Sequence, residues 1–332
     1  MVVAFCPTLF TSKGAVVDVD PTSGTISVVG TFDWPGSAIE GCVADYSPTV
    51  SIPSSGSSVW FNYVSDDGVF SHLDLATATM SKAFTASDIF FTGFETFGQL
   101  ASASSALTGV SGTATQNGLC NDGCFEYGAI DIDSHKYTKG SLILFKEIAD
   151  DVYYSDGKYF YIQAGYDLRE QKCAPADEDE CLLKLDVSSG DLVAATYTDY
   201  TIYGIAGVPD QERANSITTF MAGFSSQCPT NNDPSTNPGY AFGSVNLDTA
   251  NATLSACLDP SVVIDMDEWI SSFSADASLW ATASGDAYGD PSQLLVVDVA
   301  SGKPVYSSRL DSLPKTLGAA QNLIWIWAVT WA

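Results

Sequence analysis

The stretch Leu294-Leu295-Val296-Val297-Asp298-Val299-Ala300-Ser301-Gly302 decides the fold, because its pattern returns along the chain at regular intervals. An apolar residue, an Asp or Asn, and a second apolar residue precede a turn of small residues. We name the Asp or Asn of this phrase the anchor residue. The six anchor residues are Asp18, Asp74, Asp131, Asp186, Asn246 and Asp298. They follow one another at steps of 52 to 60 residues, and such a period is typical of stacked supersecondary units.

Each phrase reads as the middle of a β-hairpin. In the last repeat, the apolar run 294–299 and the run 304–308 stand on either side of the Ser301-Gly302 turn. β-branched runs separated by small residues predict two paired strands. Further strands are predicted ahead of hairpins at 59–64, 159–162, 217–221 and 278–282, and after a hairpin at 268–273. Four antiparallel strands per repeat predict an all-β chain folded as a β-propeller of four-stranded blades.

The period also predicts closure of the ring. The residues after Asp298 and those up to Asp18 together make a wrap-around step of 52, which matches the internal steps. Residues 1–332 are therefore expected to form one domain, a six-bladed ring with the apolar C-terminal run 323–329 between neighbouring blades. Seven blades are the alternative, since repeats of about 42 residues are common and segment 100–117 shows no clear inner strand.

The repeated phrase resembles that of extracellular YVTN-type and quinoprotein-like propellers, in which a strand ends in Asp-x-x-Thr/Ser-Gly before a tight turn. The resemblance spans the whole chain and implies architecture only, so no family's site residues are carried over. The Gly-His and Trp-Asp signatures of tryptophan–aspartate repeats are absent.

The anchor side chains are expected to be structural. Asp and Asn accept hydrogen bonds from the N–H groups of the turn that follows them. A ring of carboxylates that gathers cations is the alternative. Recurrence of one residue type at one position in every repeat favours the structural role.

The charge balance excludes some partners. The chain holds 40 acidic and 13 basic residues, with a formal net charge of -27. Nucleic acids require a basic surface, and anionic membranes repel an acidic one. No apolar run reaches the length of a transmembrane helix. Residues 1–5 are too short for a secretory signal peptide, so the signal of a secreted protein is expected to be absent from this chain.

Eight cysteines predict disulfides. Proximity in the sequence pairs Cys120 with Cys124, Cys173 with Cys181 and Cys228 with Cys257, which leaves Cys6 with Cys42. A zinc site is the rival interpretation, but the chain has only two histidines and no Cys-x-x-Cys pair. Disulfides indicate an oxidising compartment, and the glycosylation sequon Asn251-Ala252-Thr253 agrees with secretion.

Acidic clusters predict a calcium ion as a cofactor. Calcium takes six to eight oxygen ligands, often carboxylates. The densest clusters are 265–268 and 177–180, followed by 150–151 and 66–67. The candidate metal ligands are Asp265, Asp267 and Glu268. None of these clusters has the spacing of an EF-hand loop.

Nucleophilic catalysis has little support in the sequence. Gly-x-Ser-x-Gly does not occur, and a Ser/His/Asp triad would need His72 or His135. We expect a structural role for His72 in its strand and an exposed position for His135 in a turn.

The combined pattern predicts a secreted binding or structural module for a protein or glycan partner, and it names no catalytic residue. The 12% aromatic content mostly serves packing between blades, and exposed members can form an interface. One alternative is a calcium-dependent hydrolase, lactonase or lyase at the mouth of the central channel. Another is a repeating subunit of an extracellular assembly, which predicts apolar patches on the outer blade edges.

Overall fold

The computed structural model describes residues 1–6, 13–33, 49–51, 58–62, 69–85, 94–97, 106–113, 124–131, 136–143, 148–156, 158–164, 173, 181–186, 189, 191–229, 239–262, 270–284, 293–309 and 325–331. All regular secondary structure in these ranges is β-strand. The described part of the chain contains no helix able to span a membrane.

The strands form six four-stranded antiparallel sheets. Sheet 1 consists of β24 (Trp325–Thr330), β1 (Val2–Cys6), β2 (Lys13–Asp20) and β3 (Thr25–Asp33). Sheet 2 consists of β4 (Thr49–Ser51), β5 (Ser58–Asn62), β6 (Val69–Asp74) and β7 (Thr79–Thr85). Sheet 3 consists of β8 (Phe94–Phe97), β9 (Ala106–Thr113), β10 (Cys124–Asp131) and β11 (Lys136–Ile143).

The second half of the chain repeats this order. Sheet 4 consists of β12 (Ile148–Ser155), β13 (Tyr159–Ala164), β14 (Cys181–Asp186) and β15 (Leu192–Tyr197). Sheet 5 consists of β16 (Thr201–Pro209), β17 (Ser216–Ala222), β18 (Ala241–Asn246) and β19 (Ala252–Cys257). Sheet 6 consists of β20 (Ile270–Phe273), β21 (Leu279–Ser284), β22 (Gln293–Asp298) and β23 (Lys303–Arg309). Stacked four-stranded antiparallel sheets in chain order are a propeller-like architecture.

The predicted hairpins are the third and fourth strands of the sheets. The predicted strand at 268–273 is β20, which opens sheet 6 and does not close sheet 5. Segment 100–117, for which no inner strand was predicted, contains β9 as the second strand of sheet 3. The C-terminal run provides β24, which pairs with β1 through Val2 and Thr330. Both ends of the described chain therefore belong to one sheet.

The inner strands are apolar on both faces because neighbouring sheets cover both. In β18 every residue from Ala241 to Val245 is buried, and in β2 so are Ala15, Val16, Val17 and Val19. A continuous apolar run bounded by turn residues is the pattern expected of such a doubly covered strand. This burial explains why these runs do not alternate between apolar and polar residues.

Among the described residues, three apolar clusters occupy seams between sheets. One joins β2 of sheet 1 to β21 and β22 of sheet 6, through Val17, Ala281 and Val296 among others. A second joins sheets 4 and 5, and a third joins sheets 5 and 6 around Phe220, Phe242 and Trp280. The Trp280 ring stacks on Phe220 at 4.6 Å between centroids. The last sheet thus packs against the first.

One type of contact recurs between successive sheets. The turn between the third and fourth strands of one sheet lies against the fourth strand of the sheet before it. Gly302, in the turn of sheet 6, approaches the carbonyl of Cys257 so closely that an added Cβ would collide with it. Gly24 of sheet 1 lies beside Tyr306 of sheet 6 in the same way. The contact of this turn with the preceding fourth strand is therefore common to the seams between sheets 5 and 6 and between sheets 6 and 1.

The outer strands share a β-bulge. In five sheets the register against the third strand shifts by one residue, and the extra residue lies in the fourth strand. The extra residues are Val29, Ala83, Val193, Ser255 and Val305. A bulge bends an edge strand and hinders its pairing with another chain.

Candidate functional site

The antiparallel order gives the stack of sheets two different ends. Connections between first and second strands and between third and fourth strands lie at one end, which we name the turn end. Connections between second and third strands, and those leading to the next sheet, lie at the other, which we name the loop end. Turn-end connections such as 75–78 and 299–302 are short, whereas loop-end connections include 165–180 and 223–240.

Four anchor residues cap turns at the turn end, as predicted. In each case a side-chain oxygen accepts a hydrogen bond from the N–H group three residues later. The four caps are Asp74 (2.9 Å), Asp186 (3.1 Å), Asn246 (2.9 Å) and Asp298 (2.8 Å). The side chain of Asp131 lies outside the described residues.

The first anchor residue was predicted wrongly. Asp20, and not Asp18, ends β2 and accepts hydrogen bonds from the N–H groups of Thr22 at 2.9 Å and Ser23 at 3.4 Å. The Asp18 carboxylate instead accepts a hydrogen bond from the amino group of Met1 at 3.4 Å. Both residues fit the apolar–Asp–apolar pattern loosely, and only the turn geometry distinguishes them.

A second set of aspartates caps the turns between first and second strands, and the sequence analysis missed it. Asp156 accepts hydrogen bonds from the N–H groups of Lys158 at 2.8 Å and Tyr159 at 2.6 Å. Asp210 and Asp276 act in the same way in sheets 5 and 6. An Asp placed directly before a predicted second strand was the available signal.

These turns keep their carboxylates ionised. The Thr22 and Ser23 hydroxyls hold the pKa of Asp20 well below its usual range. The N–H group and hydroxyl of Thr77 lower the pKa of Asp74, and Ser274 and Ser278 lower that of Asp276. Hydrogen bonds to the charged form are the cause in each case. The turn end is therefore acidic down to low pH.

One charged cluster joins sheets 4 and 5 at the turn end, and we name it the Lys184 cluster. The Nζ atom of Lys184 lies 2.8 Å from Asp248 Oδ1 and 4.1 Å from the centroid of the Tyr159 ring. Asp248 Oδ2 accepts a second hydrogen bond from the Asn215 side chain at 2.9 Å. Lys184 lowers the pKa of Asp248. Because Lys184 belongs to β14 and Asp248 to the turn after β18, the ion pair crosses the seam.

Burial keeps the nearby tyrosines protonated. It raises the pKa of Tyr154 to about 12, with a smaller contribution from the charge of Asp156. Burial also raises the pKa of Tyr161. A phenol with a raised pKa is a poor general base at neutral pH. The arrangement of the Lys184 cluster is that of an ion pair and cation–π contact between two sheets.

Six of the eight cysteines lie in the described part of the chain, and all six belong to the loop end. Four lie at loop-end termini of strands (Cys6, Cys124, Cys181 and Cys257), and Cys173 and Cys228 lie in loop-end connections. The predicted disulfides Cys173–Cys181 and Cys228–Cys257 are both confirmed. They agree with an oxidising environment. The pairs Cys6–Cys42 and Cys120–Cys124 each include a residue outside the described ranges.

Buried side chains hold the connection between sheets 4 and 5 at the loop end. Tyr200 stacks on Phe224 with 5.8 Å between ring centroids. The buried Gln163 side chain of sheet 4 donates to the carbonyl of Tyr200 at 2.6 Å and accepts from the N–H group of Ile202 at 2.7 Å. These bonds fix the connection between sheets 4 and 5, beside which the Cys228 loop begins.

Several predicted site residues fall outside the described part of the chain. They are Asp265, Asp267 and Glu268, the acidic segments 177–180 and 66–67, and His135. Asp150 and Asp151 lie in β12, where only the backbone is described. His72 is half-buried in β6, and burial lowers its pKa against the opposite effect of Asp74. The described residues contain no group of three or more potential metal ligands.

Comparison with known proteins identifies no family. No protein-family model and no curated protein matches the chain. Solved structures with some likeness include an oligogalacturonate lyase in complex with manganese, at 12% identity and a TM-score of 0.49, over 93% of this chain and 78% of that one. An oligogalacturonate lyase from Vibrio parahaemolyticus is 10% identical to this chain with a TM-score of 0.47, again over 93% of this chain and 78% of that one. The tricorn protease is 10% identical with a TM-score of 0.40, over 91% of this chain and 30% of that one. Likenesses at these scores support no inference about activity.

Proposed function

We propose that the six sheets are the blades of a closed six-bladed β-propeller, and that the protein is a secreted binding module whose loop end holds a protein or glycan partner. The observation that carries this proposal is the position of the cysteines. All six described cysteines belong to the loop end, and both described disulfides tie a long loop-end connection to the terminus of a strand.

Loops that bind a partner must be held in shape, because ordering them on binding costs affinity. A disulfide removes much of that cost in advance, by restricting the free chain. The turn end needs no such bracing, since Asp and Asn side chains hold its short turns. The chain therefore reinforces the end at which long loops lie on a rigid scaffold, which is the usual place for recognition.

A binding experiment on the oxidised protein tests the proposal. An array of defined extracellular glycans and candidate secreted proteins supplies the probes, and any ligand found is titrated by calorimetry. Replacement of both Cys228 and Cys257 by Ser should weaken binding at least tenfold. A turn-end control, Ser301→Ala, should leave it unchanged. Loss of binding in the control and not in the cysteine variant would locate the partner at the turn end and contradict the proposal.

Calcium is proposed as a ligand of the loop end. Asp265, Asp267 and Glu268 stand in the sequence between β19 and β20, outside the described residues. If they bind calcium, added calcium should raise the melting temperature and a chelator should lower it. Asp265→Asn combined with Asp267→Asn should abolish the difference. An unchanged melting temperature in the unmutated protein would refute the site.

Assembly into a repeating structure is a second candidate, and one observation favours it. The exposed large hydrophobic side chains of the described residues all lie in fourth strands, at the outer rim. They are Val28, Val29, Val193, Tyr197 and Val305. Replacement of Val29, Val193 and Val305 by Thr should lower the molecular mass in light scattering if the rim joins copies. A monomer in both proteins excludes this role.

A further inference from the structure

We propose that Asn251 carries an N-linked glycan at the turn end. The tripeptide Asn251-Ala252-Thr253 is the single Asn-x-Ser/Thr sequence in the chain, and this tripeptide is the acceptor of N-linked glycosylation. Asn251 and Thr253 are both exposed, in the last position of a turn and near the start of β19. A glycan at this position therefore extends into solvent without displacing any buried residue.

The fold does not need the amide group of Asn251. The turn is capped by Asn246, whose side-chain oxygen accepts hydrogen bonds from the N–H groups of Asp248 and Thr249 and from the Thr249 hydroxyl. Asn251 takes part through its backbone: its carbonyl accepts from the Asn246 N–H group at 3.0 Å, and its N–H group donates to Thr249. The Nδ2 atom is thus available for a covalent bond.

The modification is a substitution at the first carbon of the sugar. The Nδ2 atom of Asn251 forms a bond to C1 of an oligosaccharide carried on a lipid pyrophosphate. The C1–O bond breaks, the lipid pyrophosphate leaves with its electron pair, and the amide proton passes to a base of the transferring enzyme. The co-reactant is a lipid-linked oligosaccharide of an oxidising compartment. The disulfides Cys173–Cys181 and Cys228–Cys257 place the chain in such a compartment.

The position of Asn251 makes the two ends of the molecule chemically different. The β18–β19 turn lies at the turn end beside the Lys184 cluster, whereas the cysteines of the described residues belong to the loop end. A glycan on this turn covers part of the acidic turn end and leaves the braced loops uncovered. The inference does not depend on the proposed binding function, because the mass of the protein reports it directly.

The test is the mass of the intact protein isolated from its own source, before and after an amidase that releases N-linked glycans. We expect the enzyme to remove the mass of one oligosaccharide and to convert the glycosylated asparagine to aspartate. Asn251→Gln and Thr253→Ala should each abolish the mass shift, whereas Thr253→Ser should keep it.

Ser255→Ala is the matched control, since Ser255 is exposed in the same strand outside the sequon. It should keep the full shift. Melting curves of Asn251→Gln should match those of the deglycosylated protein, which separates loss of the glycan from loss of folding. An unmodified peptide spanning Asn251 in the native protein, without a glycosylated counterpart, would overturn the inference.

Discussion

Lys184 of sheet 4 and Asp248 of sheet 5 form an ion pair at 2.8 Å across the seam between the two sheets. The Lys184 side chain is only 15% exposed, and its ammonium group also lies over the Tyr159 ring. Lys184→Met keeps the aliphatic packing and removes the charge. We expect it to lower the free energy of unfolding by about 1–2 kcal/mol in urea titrations, from the lost cation–π contact and ion pair.

Lys158→Met is the control for this change. Lys158 lies over the same ring, at 4.7 Å, but is exposed, so its removal should cost less than about 0.5 kcal/mol. A double-mutant cycle of Lys184→Met with Asp248→Asn should give a coupling of up to about 1 kcal/mol. Equal costs for the two lysine variants would show that the seam gains nothing from the ion pair.

Acid should destabilise the protein because it protonates the aspartates that cap the turns. The pKa values of Asp20, Asp74 and Asp276 are lowered in the folded state by hydrogen bonds within their turns. A lowered folded pKa gives stability that is complete above the unfolded pKa near 3.8 and is lost as the pH falls through the folded value. Urea midpoints should therefore change little from pH 7 to pH 5 and fall steeply below pH 4.

The control for the acid effect is Asn246→Ala. The Asn246 amide caps the same kind of turn with three hydrogen bonds and does not titrate. Its replacement should lower the free energy of unfolding by about 1–2 kcal/mol, and this loss should be the same at pH 7 and pH 3.5. A loss of stability in the unmutated protein that begins above pH 5 would point to groups other than these turn aspartates.

The repeat in the sequence determined most of the fold. The period located the hairpins and the C-terminal strand, because four of the anchor residues end a third strand at a turn that they cap. The period did not locate the first two strands of every sheet, so 268–273 was assigned to the wrong sheet and β9, the second strand of sheet 3, was missed. Inner strands carry no polar pattern to mark them, since they are covered on both faces.

The candidate site was less accessible to sequence reasoning. Local spacing predicted Cys173–Cys181 and Cys228–Cys257 correctly, because short loops favour such pairs. The Lys184 cluster was missed because Lys184 and Asp248 are 64 residues apart in the sequence. They meet only when sheets 4 and 5 stack. The common position of the six described cysteines at one end appeared only when the strand bounds were known.

Substitution of Gly302 should separate the effect of packing between sheets from backbone strain. Gly302 and Gly24 both have positive φ, at 67° and 71°, so alanine at either costs about 1 kcal/mol in backbone energy. At Gly302 the new Cβ would also collide with the Cys257 carbonyl, whereas at Gly24 its nearest neighbour is Tyr306 at 3.5 Å. Gly302→Ala should therefore cost about 1–3 kcal/mol more than Gly24→Ala. Equal melting temperatures for the two variants would argue against tight docking of the turn on sheet 5.

Removal of the C-terminal strand should unfold more than one sheet. β24 is the first strand of sheet 1, and Trp331 donates a hydrogen bond to the Ser272 carbonyl of sheet 6 at 3.0 Å. Deletion of residues 325–332 exposes β1 and the cluster between sheets 1 and 6. We expect loss of the cooperative thermal transition in circular dichroism.

A circular permutant is the matched control for the deletion. It joins the two ends of the chain through a short Gly-Ser linker and opens the turn at 187–191 instead. It keeps every strand, and Met1 and Trp331 both pack against the same apolar cluster between sheets 1 and 6. The permutant should retain the cooperative transition. A deletion variant that melts like the intact protein would mean that β24 does not contribute to a closed ring.

The two described disulfides should differ in their effect on stability, and the one that closes the longer loop should contribute more. Cys228–Cys257 spans 29 residues and Cys173–Cys181 spans 8. In the loop-entropy description, the restriction of the unfolded chain grows with the logarithm of that separation. Replacement of Cys228 and Cys257 by Ser should cost about 3–4 kcal/mol, and replacement of Cys173 and Cys181 about 2–3 kcal/mol. Urea titrations at pH 7 measure both.

Reduction of the unmutated protein should lower stability by at least the larger of the two values, and the double Ser variants should respond less to the reductant than the unmutated chain. If reduction left the urea midpoint unchanged, the bonds would brace the loops without stabilising the sheets, and preorganisation of the loop end would be their remaining role.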